Sequence, residues 1–285
     1  MKMSKKLQPE NEKLIINGRE IELMPEVAID NTWVGNGRVE KQLAAAWLTV
    51  HSDDRPMNPL IVGRPGSGKT TLVAAMAKII KRPLYIFQCT MDTRPEDLVI
   101  TPVLTENRTV KYQASSLVSA MVKGGVCILD EGNRMRDKAW ASLAPLLDAR
   151  RYVESVVVGC RIEANPEFRL AATMNEDASV FNLPEYIRSR LRPRLEVPEP
   201  DDATLRQIIK SNLSFIDDKV LEAVMAFLRV ADTREQAFSL RQAVQLAGLT
   251  SKICASDKNI KIAGAVEEGA RLIADVTDIR MPEGY

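Results

Sequence analysis

The sequence holds a single histidine, His51, in 285 residues. A mechanism built on a histidine base, or a metal held by a histidine cluster, has almost nothing to draw on. The four cysteines, Cys89, Cys127, Cys160 and Cys254, stand far apart, and none pairs at a metal-binding spacing. The expectation is reduced thiols in a cytoplasmic setting, with Cys127 a small core residue inside an apolar run. Net charge is nearly absent, since 39 lysines plus arginines face 38 aspartates plus glutamates. That removes the strongly basic footprint of a nucleic-acid-binding domain, although local patches remain open. No apolar run reaches the length of a membrane span. Met1–Lys6 is charged with no apolar segment behind it, which predicts no signal peptide. His51 ends a helical pattern ahead of the polar stretch Ser52–Pro56 and reads as a surface residue.

What the chain does have is Gly63-Arg64-Pro65-Gly66-Ser67-Gly68-Lys69-Thr70, placed between a short apolar strand at Pro59–Val62 and a helix from Thr71 to Ile80. A strand, a glycine-rich turn and a helix in that order form a phosphate-binding loop. Glycines let backbone N–H groups close around an anion, and the helix start adds its positive dipole end. Lys69 can reach the β- and γ-phosphates, and Thr70 offers Mg²⁺ a hydroxyl. The bland alternative is a glycine-rich loop with a solvated lysine. It requires a chance match of about one per cent, before the flanking elements are considered. A nucleoside triphosphate is the expected ligand.

Strands and helices alternate over residues 35–200: apolar strands at Leu84–Cys89, Val126–Leu129 and Phe168–Thr173, helical patterns at Val39–Val50, Leu117–Lys123 and Trp140–Leu147. This predicts an α/β parallel sheet flanked by helices. Tyr152–Ile162 reads as an inserted β-hairpin, and Asn17-Gly18 as the turn of a hairpin within the N-terminal arm, residues 1–30. Arg94–Leu98 reads as a polar loop or helix start. After Pro198-Glu199-Pro200 the patterns become helical, which predicts a core at 31–200 and an all-helical lid at 201–285.

The strand at 126–129 runs into Asp130-Glu131. Successive strand side chains point oppositely, so Asp130 can face a metal ion while Glu131 polarises a water beyond the γ-phosphate. The strand at 168–173 leads to Asn175, an amide able to hold that water or the phosphate, though asparagine is also a common turn residue. Gly63–Thr70, Asp130-Glu131 and Asn175, in this order, resemble Walker A, Walker B and sensor 1 of the AAA+ ATPases. Leu129–Arg134 is similar to the Asp-Glu-Ile-Asn-Arg signature of the MoxR-like and dynein-related branch, with Gly132 replacing an apolar residue. The hairpin at 152–162 resembles that branch's insert region.

The resemblance carries further implications. Arg190, or its neighbour Arg188, takes the place of an arginine finger that serves an adjacent subunit. Arg241 takes that of sensor 2, and Val34-Gly35 that of the segment on which adenine packs, with Trp33 as a helper. Thr71 follows Thr70 in the loop's helix. ATP and Mg²⁺ are the implied cofactors, with Thr70 and Asp130 on the metal. A homo-oligomeric ring of six subunits is implied as well. Its partner would be a protein client or a von Willebrand factor A domain rather than nucleic acid, and its work chaperone-like remodelling. The loop Met91–Leu98 lacks an aromatic-glycine pore signature, which argues against threading. Two rivals stand beside this reading. One is a DNA-directed motor or loader, and Arg188, Arg190, Arg192 and Arg194 would suit it as a basic patch. The other is a nucleotide-regulated scaffold, for which Glu131 has no use.

Overall fold

The structure is a computed structural model that describes residues 12–29, 32–35, 37–176, 183–234, 236–274 and 278–282. The charged stretch Met1–Lys6 lies outside the described residues. Two compact units result. One comprises the segment ending at Ile29, Val39–Val62 and Leu72–Glu196; the other comprises the segment Asp30–Arg38, Gly63–Thr71 and the chain from Val197 onward.

The first unit begins with the hairpin β1 (Lys13–Ile16) and β2 (Arg19–Glu22). Asn17 and Gly18 both take positive φ, 49° and 74°, as a tight two-residue hairpin turn demands. Helix α1 (Arg38–Trp47) leads to β3 (Leu60–Gly63), and α2 (Lys69–Ile79) to β4 (Leu84–Gln88). A second hairpin, β5 (Ile100–Leu104) and β6 (Val110–Ala114), precedes α3 (Ser116–Lys123) and β7 (Val126–Asp130). Then come α4 (Asp137–Leu143), the hairpin β8 (Tyr152–Ser155) and β9 (Cys160–Glu163), β10 (Arg169–Asn175), α5 (Glu185–Arg188) and β11 (Arg194–Glu196).

Five strands form the parallel sheet, in the order β11-β3-β10-β7-β4. Leu170 pairs with Cys127 and Ile128 with Ile86, so the apolar runs lie side by side. Every residue from Leu170 to Met174 is buried, because helices cover both faces. Helix α1 is tied to the sheet by the Trp47 indole, which donates to the Leu170 carbonyl at 3.1 Å. Buried Arg169 answers by donating from Nε to the Trp47 carbonyl at 2.8 Å.

Three expectations need correction. Residues 100–114 form a hairpin that the sequence reading missed, and β6 joins β2 in parallel, giving a four-stranded sheet β1-β2-β6-β5. The helix expected at Trp140–Leu147 instead spans Asp137–Leu143. Pro145 has no N–H to continue the helical ladder, so the helix stops at Leu143, with Ala144 as its cap. Glu131 is not on the strand: it leaves β7 with φ 55°, ahead of a short 3₁₀ turn at Gly132–Arg134.

The second unit is helical: α6 (Asp202–Asn212), α7 (Asp218–Thr233), α8 (Leu240–Ser256) and α9 (Ile262–Ala274). Asp201, Asp217 and Ser239 cap the starts of α6, α7 and α8 through their side chains. Phe227, Leu246, Val266 and Ala270 are fully buried in its core, and Phe227 meets Phe238 edge-on at 6.0 Å.

Candidate active site

The phosphate-binding loop starts where β3 ends and closes into α2. Gly66 (φ 77°) and Gly68 (φ 90°) hold backbone shapes that a side chain resists. Space enforces the same choice. A Cβ on Gly66 would sit 3.1 Å from the Arg241 Cβ, and one on Gly68 would sit 2.9 Å from the Trp33 ring. The loop's walls are therefore the start of α8, which carries Arg241, and the segment that carries Val34 and Gly35. Lys69 is buried to 7% exposure, and its Nζ donates to the carbonyls of Gly63 (3.0 Å) and Arg64 (2.8 Å). Among the described residues, the buried Ser67 hydroxyl has no hydrogen-bond partner. A buried ammonium facing a backbone cradle, beside an unpaired hydroxyl, fits a polyanion. Thr70 and Thr71 are half-buried in the first turn of α2, and Pro65 is exposed. Arg64 pairs with Glu199 at 2.6 Å across an exposed surface.

In the first unit, acidic and amide groups gather at the C-terminal edge of the parallel sheet. Asp130 ends β7, and its Oδ1 accepts a short hydrogen bond from the Thr173 hydroxyl. The same hydroxyl accepts from the Glu131 N–H at 3.1 Å, so Thr173 pins both acidic residues to the next strand. The Glu131 carboxylate is held by Gln88 Nε2 (3.1 Å) and Arg134 Nε (2.8 Å). Asn175 ends β10, and its carbonyl accepts from Asn133 Nδ2 at 3.3 Å.

Comparison with known proteins supplies the family. Residues 58–191 match the family described as AAA domain (dynein-related subfamily). That stretch of the chain is an AAA+ ATPase domain of the dynein-related branch. This ATPase is 29% identical over 243 residues to Protein NorQ of Paracoccus denitrificans, covering 80% of the present chain and 88% of NorQ. An uncharacterized protein of Staphylococcus aureus is 28% identical over 209 residues, covering 69% and 79% of the two chains. Among solved structures, the RuvB Holliday junction branch migration motor of Thermotoga maritima superposes with TM-score 0.57 at 18% identity. It covers 84% of this chain and 70% of that one, which shows a common fold.

The glycine that departs from the branch's signature has a packing cause. A Cβ on Gly132 would lie 3.0 Å from the Trp140 ring and 3.3 Å from the Met174 methyl. In this ATPase the fully buried Trp140 fills that space, and its indole donates to the Gly132 carbonyl at 3.2 Å. The two arginines have partners close by in sequence and at Asp148. Arg188 donates to the Leu183 carbonyl at 3.2 Å and lies 3.4 Å from Glu185. Arg190 donates to the Tyr186 carbonyl at 2.5 Å, with its Nε 3.6 Å from Asp148. Two hydrogen bonds from the Arg150 side chain hold the Asp148 carboxyl down to about 2, and the Arg190 charge adds to them.

Sequence reasoning assigned no role to Thr173, Gln88, Arg134 or Trp140. Gln88 left one signal, an amide closing an otherwise apolar strand. The others are defined by what folding brings next to them. Among the described residues, no helix is long and apolar enough to cross a membrane.

Proposed function

We propose that this ATPase is of the MoxR-like type, working as a ring of its own copies that couples ATP hydrolysis to the remodelling of a partner protein. The observation that carries the reading is the buried Lys69, whose Nζ is held by the Gly63 and Arg64 carbonyls in the loop's backbone cradle. Backbone N–H groups of Gly63–Thr71 would bind the phosphates, and Lys69 would neutralise their charge. Thr70 and Asp130 are the hard oxygen donors suited to Mg²⁺, which when bound neutralises charge on the phosphate oxygens. Glu131 orients a water whose oxygen bonds to the γ-phosphorus as the bond to the ADP oxygen breaks. Asn175 steadies that water. Arg241 closes on the nucleotide from the helical side.

Arg190, with Arg188 beside it, would serve the neighbouring subunit, where a planar guanidinium meets charge developing in the transition state. Arg190 is partly exposed and is held only by the Tyr186 carbonyl and the Asp148 carboxylate among the described residues. In domain terms, residues 31–200 would be the core, 201–285 the lid and 1–30 an arm. The partner is a protein client or a von Willebrand factor A domain. The near-equal numbers of acidic and basic residues favour protein over nucleic acid.

The test is Glu131→Gln beside Lys69→Ala. Glu131→Gln is expected to bind ATP like the parent and to lose about 10²- to 10⁴-fold in turnover. Lys69→Ala is expected to weaken binding itself. Hydrolysis by Glu131→Gln at the parent rate would remove the carboxylate from the mechanism. Strong stimulation by DNA that vanishes at high salt would move the reading to a DNA-directed motor.

A further inference from the structure

We propose that Arg55, Arg151 and Arg169 form an anion site at the N-terminal edge of the parallel sheet, which takes a phosphate dianion, either free or as the monoester of a small molecule. Arg169 opens β10, the strand that ends at Asn175, and its seven residues span about 20 Å. This edge is therefore remote from the acids at the other end of the same sheet. Arg169 is only 6% exposed. Its Nε donates to the Trp47 carbonyl, and its Nη1 to the carbonyls of Pro166 (3.0 Å) and Phe168 (3.2 Å). Half-buried Arg151, just ahead of β8, donates from Nη2 to the same Phe168 carbonyl at 2.9 Å. Two guanidinium groups thus share one neutral acceptor. Exposed Arg55, on the connection from α1 to β3, adds a third positive charge. Burial first, then the Arg169 and Arg55 charges, bring Arg151 from 12.5 down to about 10.

No carboxylate balances these charges. Among the described residues, none of the three arginines forms an ion pair. Asp54, next to Arg55 in the chain, gives both carboxylate oxygens to backbone N–H groups, those of Val50 and Arg55 at 2.9 Å each. Glu167 is engaged by Arg82, a further cation that acts on Arg169. Like charges held together away from water repel, and desolvation adds to the cost. One guanidinium would satisfy the Phe168 carbonyl; the others add only repulsion until an anion arrives. Arg151 commits a single N–H, and the Arg55 side chain commits none among the described residues. Their planar forks match phosphate oxygens. A phosphate monoester carries about two negative charges and suits three cations better than a singly charged carboxylate or diester.

The experiment is calorimetric titration of the full chain with inorganic phosphate, methyl phosphate, dimethyl phosphate and acetate. Ionic strength is fixed at about pH 8, where phosphate is a dianion. Every protein carries Lys69→Ala, which weakens the competing nucleotide cradle. Phosphate and methyl phosphate are expected to bind still, and dimethyl phosphate and acetate about 10-fold more weakly or worse. Adding Arg55→Gln or Arg151→Gln is expected to weaken phosphate about 10-fold each, with Arg151→Lys falling between because it keeps the charge and loses the fork. Phosphate binding that disappears with Lys69→Ala alone would overturn the proposal, as would affinity unchanged by the arginine substitutions. Dimethyl phosphate binding as tightly as phosphate would assign the cluster to a nucleic-acid backbone instead, and acetate doing so would assign it to an acidic protein segment. Should Arg151→Gln fail to fold, exposed Arg55→Gln decides the matter by itself.

Discussion

The two sheets of the first unit differ in what their polar residues do. In the parallel sheet, β7 and β10 are buried along their length and reach partial exposure only where they stop, at Asp130 and Asn175. In the four-stranded sheet, polar side chains are spread along the strands, as in Lys111 with Glu22 at 2.8 Å and Arg19 with the Tyr112 hydroxyl at 3.2 Å. Those contacts are exposed and screened by water, so each contributes little. A charge at the end of a buried strand is different. It is partly desolvated, its neighbours are rigid, and its direction is set by the strand. The difference teaches that charged and amide groups collect where covered strands end, while partly solvated sheets use polar groups for solubility and pairing.

The contrast can be broken in four ways. The largest effect is expected from Arg190→Ala, on the connection from β10 to β11. Turnover of the homo-oligomer should fall about 10³-fold or more if the guanidinium serves a neighbour's nucleotide. Mixing it with Lys69→Ala should restore part of the activity, and no recovery at any ratio with assembly intact would rule out a shared site.

Thr173→Val comes next. Losing the hydroxyl that pins Asp130 and Glu131 is expected to lower turnover about 100-fold through misplacement, with ATP binding largely kept. A parent-like rate would mean the strand end holds its geometry unaided.

Ile21→Ala tests the other sheet. Ile21 is fully buried in β2, so the cavity should cost about 2–5 kcal/mol in denaturant unfolding. Turnover per folded molecule should stay within about twofold of the parent. A drop like that of Thr173→Val would end the distinction between the sheets.

The smallest effect belongs to Asp148→Asn. Arg150 lowers the Asp148 carboxyl from 3.8 to about 2, so the folded state favours its charged form. That stabilisation is fully present above about pH 4 and fades as pH falls toward 2. With the side chain 23% exposed, the gap between parent and variant should stay below about 1 kcal/mol and close over that interval. A gap that persists at pH 2 would assign the effect to packing rather than charge.

Much of this arrangement could be read from residue order. The phosphate-binding loop works through backbone N–H groups and local spacing, so eight consecutive residues specify it. Val126–Leu129 and Leu170–Ala172 are unbroken apolar runs, which only a strand covered on both faces explains. The hairpin at 100–114 escaped notice because Pro102 interrupts its first strand and because its sheet partner, β2, lies far earlier in the chain. Glu131 was misplaced because the alternation of side chains holds only while the strand continues, and it stops at Asp130.

Residue order alone determined the cradle, the buried strands and the acids at their ends, since each depends on neighbours within a few positions. Only the folded chain decided what holds those acids. Gln88 and Glu131 are 43 residues apart, as are Thr173 and Asp130, and the indole beside Gly68 comes from the segment before α1. Hydrogen bonds and close packing act over a few ångströms of space, whatever the distance along the chain, and local pattern carries no record of them.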